Sequence, residues 1–148
     1  VIHYSFNRLC HLLFMKKKEN EIATALAAAV PELGKCRPTD KFCPYDVECD
    51  LYIIEIKSRD KAYDPWIIER MKAESNLNIA ESLKKYFLYL TEYKSTAYVW
   101  NVTKLIRQDY DFGWSSRPLP QTTEFEHNKP ISKEVGYLYQ NLAKIVKL

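Results

Sequence analysis

The chain has 148 residues, with 22 lysines and arginines against 19 aspartates and glutamates, and is 47% hydrophobic and 14% aromatic. These figures exclude a disordered chain and a multidomain one, leaving a single domain, 1–148, of modest basicity with enough apolar surface to bury a core. Its three glycines, Gly34, Gly113 and Gly136, lie far apart, which excludes the clustered-glycine loops that cradle phosphates.

Along the chain, Ile2, Phe6, Leu9 and Leu13 recur near helical spacing. An alanine-rich stretch from Lys16 to Val30 then favours helix until Pro31 and Gly34 stop it. Basic Lys16 to Lys18 followed by the apolar run Ile22 to Val30 mimics a signal peptide, but Glu19 and Glu21 interrupt the approach, so the stretch reads as an amphipathic helix. No apolar run approaches the roughly 20 residues that span a bilayer, and a cytoplasmic protein without a membrane partner is expected. Cys10, Cys36, Cys43 and Cys49 lack C-x-x-C spacing, and the chain is large enough to need no staple, which predicts reduced, buried thiols.

Lys35 to Cys43 is polar and reads as a loop. Tyr45 to Cys49 and Leu51 to Lys57 are short strands rich in β-branched residues, predicting a tight antiparallel hairpin that turns near Asp50. Asp64-Pro65 predicts the start of a helix whose pattern Ile67, Ile68, Met71, Ile79, Ala80 and Leu83 leads towards Lys85. Tyr86 to Thr91 and Thr96 to Val102 read as central strands. Thr103 to Thr123 reads as mostly loop with a short helical turn, and Val135, Leu138, Tyr139, Leu142, Ile145 and Val146 predict a C-terminal amphipathic helix. The whole predicts an α/β (α+β) domain, a mixed central β-sheet flanked by helices.

Charge is unevenly spread. Residues 1–41 hold 7 basic and 4 acidic side chains, 42–102 hold 8 and 10, and 103–148 hold 7 and 5. An acidic centre between basic arms suits a metal held over a phosphate backbone, although solvated helix faces give the same pattern. In the expected hairpin, Asp46 lies within reach of Glu55 on the neighbouring strand, while Glu55 and Lys57 share a face. Two carboxylates so close repel unless a cation separates them. Mg²⁺ suits them because it takes oxygen ligands and fills its other positions with water and phosphate. A lysine beside that site orients or deprotonates the attacking water. The combination is a device for phosphodiester hydrolysis. The plainer alternative is a cross-strand ion pair on an exposed hairpin. Glu48 and Asp50 alternate onto the Asp46 face and are alternative ligands.

The run Pro44, Asp46, Glu55, Lys57, Ser58, Arg59 resembles the PD-(D/E)xK nuclease superfamily, with Tyr45 as the one departure, and the resemblance covers a core of about residues 16–102. It implies a restriction-endonuclease-like fold, Asp46, Glu55 and Ile56 as the metal set, Mg²⁺ with Mn²⁺ able to substitute, and Lys57 as the catalytic lysine. It also implies a helix glutamate, for which Glu21 is the choice and Glu19 the alternative. Within that superfamily the small size and aromatic C-terminal extension, residues 103–148, look like the homing endonucleases of cyanobacterial transfer-RNA introns. That likeness implies a homo-oligomer, dimer or tetramer, cutting double-stranded DNA at a long pseudo-palindromic site. One active site cuts one strand, so a double-strand break needs two copies about a two-fold axis. The C-terminal helix and the first fourteen residues are candidate interfaces. DNA contacts are expected from Lys16, Lys17, Lys18, Arg37, Lys41, Arg59, Lys61, Arg117, Lys129 and Lys133. A restriction enzyme, junction resolvase or phage repair nuclease would use the same chemistry, and a catalytically silent DNA-binding module is the rival of another class. His3, His11 and His127 lack zinc-ligand spacing.

Overall fold

In the computed structural model, residues 18–120 and 130–148 are described. The helix expected over the first fourteen residues lies outside them. Residues 18–29 form α1. Its positions Ile22, Ala23 and Leu26, with Val30 just beyond its end, are buried, the stripe a 3.6-residue period produces. A single 3₁₀ turn at Pro31–Leu33 follows, and Gly34 ends it at φ +73°, where a Cβ would collide with the Asp50 carboxylate.

The next strands are β1 (Arg37–Pro38), β2 (Val47–Glu48) and β3 (Tyr52–Ser58). β2 and β3 pair antiparallel with Val47 opposite Ile54, so the hairpin turns around Asp50 as the sequence predicts. The helix expected from Asp64-Pro65 begins later. Trp66–Glu69 is a strand, β4, and helix α2 runs over Arg70–Leu83. The reason lies in the period: Trp66 and Ile68 are buried while Ile67 and Glu69 are half-exposed, an alternation of two that bulky and β-branched side chains favour. Met71, counted towards the helix's apolar face, is 84% exposed. The left-handed residue Lys84 (φ 56°) closes α2, as helix C-termini commonly require.

Strands β5 (Tyr86–Tyr93) and β6 (Thr96–Asn101) form the expected antiparallel pair. Asn101 caps the short α3 (Val102–Arg107) by accepting from the Lys104 N–H at 3.0 Å. The predicted C-terminal helix is absent. Its residues form β8 (Pro130–Leu138), a 3₁₀ turn (Gln140–Leu142) and β9 (Lys144–Lys147), while β7 (Ser115–Pro120) lies in the stretch read as loop. Gly136 sits mid-run, where helix is disfavoured. A Cβ there would come within 2.7 Å of the Trp114 ring, so close packing of β8 on that indole requires a glycine.

The first sheet has the order β1-β2-β3-β5-β6-β9, parallel only between β3 and β5; the second has the order β4-β8-β7. The domain is therefore a mixed sheet flanked by helices. On one face, α1 packs against Val47, Ile54, Ile56, Leu88 and Leu90. On the other, α2 and β4 pack against Ile53, Phe87, Tyr89 and Trp100. Burying these side chains stabilises the domain by about 1.5–3 kcal/mol each before entropic costs.

The reduced-thiol expectation is corrected for two cysteines. Arg37 lies opposite Glu48 in the β1–β2 ladder, so the next pair outward is Cys36 and Cys49, and these are joined in a disulfide. Their positions, thirteen residues apart in sequence, become neighbours only through the register. Cys43 is a free thiol. Among the described residues, no helix is long and apolar enough to cross a membrane.

Candidate functional site

The strand β3 departs from apolarity at its C-terminal half. Glu55 is 4% exposed, and a carboxylate taken that far from water requires partners. It has two. Lys57 Nζ lies 3.0 Å from Glu55 Oε1, and Asn76 Nδ2 on α2 donates to Glu55 Oε2 at 3.3 Å. The same amide lies 3.3 Å from the Pro44 carbonyl, tying the segment before β2 to α2. Burial opposes the ammonium form of Lys57, but Glu55, then Tyr89 and Asp46, outweigh it and hold its pKa above the ordinary lysine value. Lys57 is thus an ammonium group at neutral pH, held against Glu55.

Asp46 reaches the same point from the segment just before β2. Its Oδ2 accepts the Ile56 N–H at 2.7 Å, and its own N–H donates to the Ile54 carbonyl at 2.8 Å. This carboxylate is therefore anchored on the residue between Glu55 and Lys57. Ile56 packs its side chain into the core, so only its backbone carbonyl is available as a ligand. N–H and C=O of one strand residue point to the same side, which turns that carbonyl to the Asp46 side. The structure thus brings together Asp46, Glu55, Ile56 and Lys57.

Glu55 and Lys57 open into a cleft of about 160 Å³ whose walls include Arg59, Tyr89, Glu69, Lys72 and Lys133. The Tyr89 hydroxyl donates to the Ile67 carbonyl at 3.2 Å; burial, then the Glu55 charge, pushes its pKa up. Glu69 lies 3.3 Å from Lys133 and 3.4 Å from Lys72. Burial opposes its charged form, yet the two lysines prevail and hold its pKa below the ordinary value. Two buried polar atoms beside the acidic pair lack a protein partner: Asn76 Oδ1, and Thr91 Oγ1 on the residue directly opposite Lys57. Buried orphans of this kind are rare; a third among the described residues is Trp66 Nε1.

Several expected residues lie elsewhere. Glu21 is exposed on α1, whose buried face covers the opposite side of the sheet from Glu55, and it is not among the cleft's lining residues. Glu19 lies on the same helix. Glu48 is held by Arg37 at 3.1 Å and Lys85 at 3.2 Å, and Asp50 accepts the Lys35 N–H at 3.2 Å, so neither joins Asp46. Arg37 is engaged at that hairpin edge. Lys18, Lys41 and Lys61 are exposed outside the cleft lining, with Lys41 over the Phe42 ring. Arg117 is exposed on β7 opposite Lys133. Arg59 and Lys133 reach the cleft. Lys16, Lys17 and Lys129 lie outside the described residues.

Sequence reasoning missed Glu69, Lys72, Asn76 and Tyr89. The alternation Trp66-Ile67-Ile68-Glu69 was the available signal for Glu69. For Asn76 it was a polar residue in line with Ala73 and Ala80, three and four positions away on the buried stripe of α2. Among the described residues, no group of three or more His, Cys, Asp or Glu gathers into a metal cluster; the donor set here is two carboxylates and a carbonyl. Comparison of the chain with protein-family models, curated proteins and solved structures gave no match.

Proposed function

We propose that the protein is a Mg²⁺-dependent endonuclease of double-stranded DNA with a PD-(D/E)xK-type core, of the intron-homing kind and acting as a homo-oligomer. The observation that carries this reading is the convergence of Asp46, just before β2, and Glu55, on β3, around Ile56, with Lys57 3.0 Å from Glu55. The donor chemistry suits a hard divalent cation: Asp46, Glu55 and the Ile56 carbonyl would hold it through oxygen, and the buried charge of Glu55 gives it a reason to bind. Mg²⁺, when bound, polarises a phosphoryl oxygen and offsets charge that develops in the transition state. Lys57, on the open side of Glu55, orients the attacking water and faces the phosphate. Asn76 fixes the Glu55 carboxylate from behind, and the basic residues of the cleft draw in the DNA backbone.

The test is nicking and linearisation of a plasmid and phage DNA panel by the purified chain, with and without Mg²⁺, beside Asp46→Ala and Lys57→Ala. The expected result is discrete, Mg²⁺-dependent fragments that each variant reduces by about 10²–10⁴-fold. Duplex binding with no cleavage of linear or branched DNA would replace this reading with that of a silent binding module.

A further inference from the structure

The Lys57 ammonium sits on the carboxylate that a cation would need. It lies 3.0 Å from Glu55 Oε1, and the Asn76 amide donates to Oε2 of the same group, so both Glu55 oxygens already hold donors. With a divalent cation on Asp46 and Glu55, the ammonium faces a like charge on its own partner, and the two repel. It then needs a second acceptor. Lysine carries three N–H donors, and among the described residues the Lys57 ammonium pairs with Glu55 alone.

Thr91 offers that acceptor. It stands directly opposite Lys57 in the parallel β3–β5 ladder and opposite Tyr98 in the β5–β6 ladder. Strand alternation puts it on the face of Glu55 and Tyr89, not on that of Leu88 and Leu90, which meet α1. The residue is 1% exposed, and its Oγ1 has no hydrogen-bond partner. A buried hydroxyl without a partner costs stability, and a valine of the same shape would fill this strand position without that cost. The hydroxyl thus adds nothing to the fold of the free protein. Just beyond it the two strands are tied: Ser58 Oγ donates to Glu92 Oε2 at 2.7 Å, the Arg59 N–H to the Glu92 carbonyl at 2.9 Å, and the Ser95 N–H to Glu92 Oε1 at 3.0 Å. These bonds fix the backbone spacing of Lys57 and Thr91, while the half-buried lysine side chain opens on the cleft.

We propose that Thr91 is a positioning residue for Lys57: its hydroxyl accepts the Lys57 ammonium when Glu55 turns to a cation, and so keeps the lysine beside the water that it orients. Lys57 thus has two seats, Glu55 Oε1 in the free protein and Thr91 Oγ1 in the loaded one. It passes between them by rotation of its own side chain, with no proton transferred. The assignment rests on the reading of Asp46, Glu55 and Lys57 as a metal-dependent nuclease site. A hydroxyl suits the second seat because it accepts from an ammonium through a charge-assisted bond yet brings no further negative charge to compete with Glu55.

The experiment follows the ¹³Cε and Hε signals of Lys57 in lysine-labelled full chain, assigned through Lys57→Arg, in EDTA and in Mg²⁺. Thermal melts and cleavage kinetics accompany it, for wild type, Thr91→Val and Thr91→Ser. The two Hε protons are inequivalent while the ammonium is held and average when it swings freely. In EDTA the Lys57 signals are expected to match in all three proteins, and Thr91→Val to melt no lower than wild type. In Mg²⁺ the signals should shift and stay split in wild type and Thr91→Ser, and collapse in Thr91→Val. The valine variant should lose about tenfold in kcat with KM within about twofold, and Thr91→Ser, although less stable, should recover most of kcat. Lys57 signals in Mg²⁺ that ignore the valine, or a Thr91→Val melt well below wild type, would overturn the second seat, while Mg²⁺-dependent cutting leaves the nuclease reading standing. No response of Lys57 to Mg²⁺ in wild type would overturn both. A Thr91-dependent response in protein that cuts no DNA would keep the second seat and overturn the nuclease reading.

Discussion

Asn76 is the residue on which the acidic site leans most. It is fully buried, shares its amide between Glu55 and the Pro44 carbonyl, and leaves Oδ1 without a partner. Asn76→Asp keeps the shape but sets a second carboxylate against Glu55. It should destabilise the protein by about 3 kcal/mol at neutral pH. The introduced carboxyl has a raised pKa in the fold, so the loss shrinks as pH falls towards about 4, and calorimetric melts across that range check it. Glu48 has the opposite sign. Arg37, then Lys85, hold its pKa below the ordinary value, so its stabilisation is present above the unfolded carboxylate pKa and is lost as pH falls through the folded one. Glu48→Gln should cost about 0.5–1 kcal/mol at pH 7 and almost nothing near pH 3, measured by urea unfolding at both values. The Asp46, Glu55 and Lys57 grouping was legible because strand alternation and a short hairpin leave little freedom in where those side chains go. Asn76 was not legible, since its role depends on which face of α2 meets β3.

At the scale of elements, periodicity succeeded where a single face is buried and failed where short apolar runs serve either period. Residues 18–29, β3, β5 and β6 came out as predicted, the helix with a clean stripe and β3 and β5 with continuous buried runs. Trp66–Glu69 and Pro130–Leu138 did not, because what settles them is their mutual pairing, Trp66 opposite Leu138 and Glu69 opposite Val135, a contact across some seventy residues that no local window contains. The distinction is measurable. Ile68→Ala, in a strand position 1% exposed, should cost about 2–5 kcal/mol. Met71→Lys, which a helix packed on that face would not tolerate, should stay within about 0.5 kcal/mol. Chemical denaturation of the two variants checks that Ile68 is in the core and that Met71, counted towards the apolar face of the expected helix, is not.

For the molecule as a whole, the mixed sheet with α1 and α2 on opposite faces was legible from the alternation of element types, whereas the second sheet and the Cys36–Cys49 bridge were not, since both are products of register. The site draws on distant parts of the chain: Asp46 and Glu55 on the hairpin, Asn76 on α2, Lys133 on β8. A cation held there should therefore stabilise the entire fold. Mg²⁺ at about one hundred times its Kd would add about 2.7 kcal/mol, seen as a higher Tm that Asp46→Ala removes. Of the two expected oligomer surfaces, the C-terminal helix is replaced by strands, and the first fourteen residues lie outside the described residues. Of the described strands, β1 and β9 bound the six-stranded sheet. Pro38 on β1 has no N–H to offer a visiting strand, and two β9 strands laid antiparallel would bring Lys144 and Lys147 of one copy against the lysines of the other. The sheet is thereby insulated against runaway growth into fibrils at the two rims its described strands present.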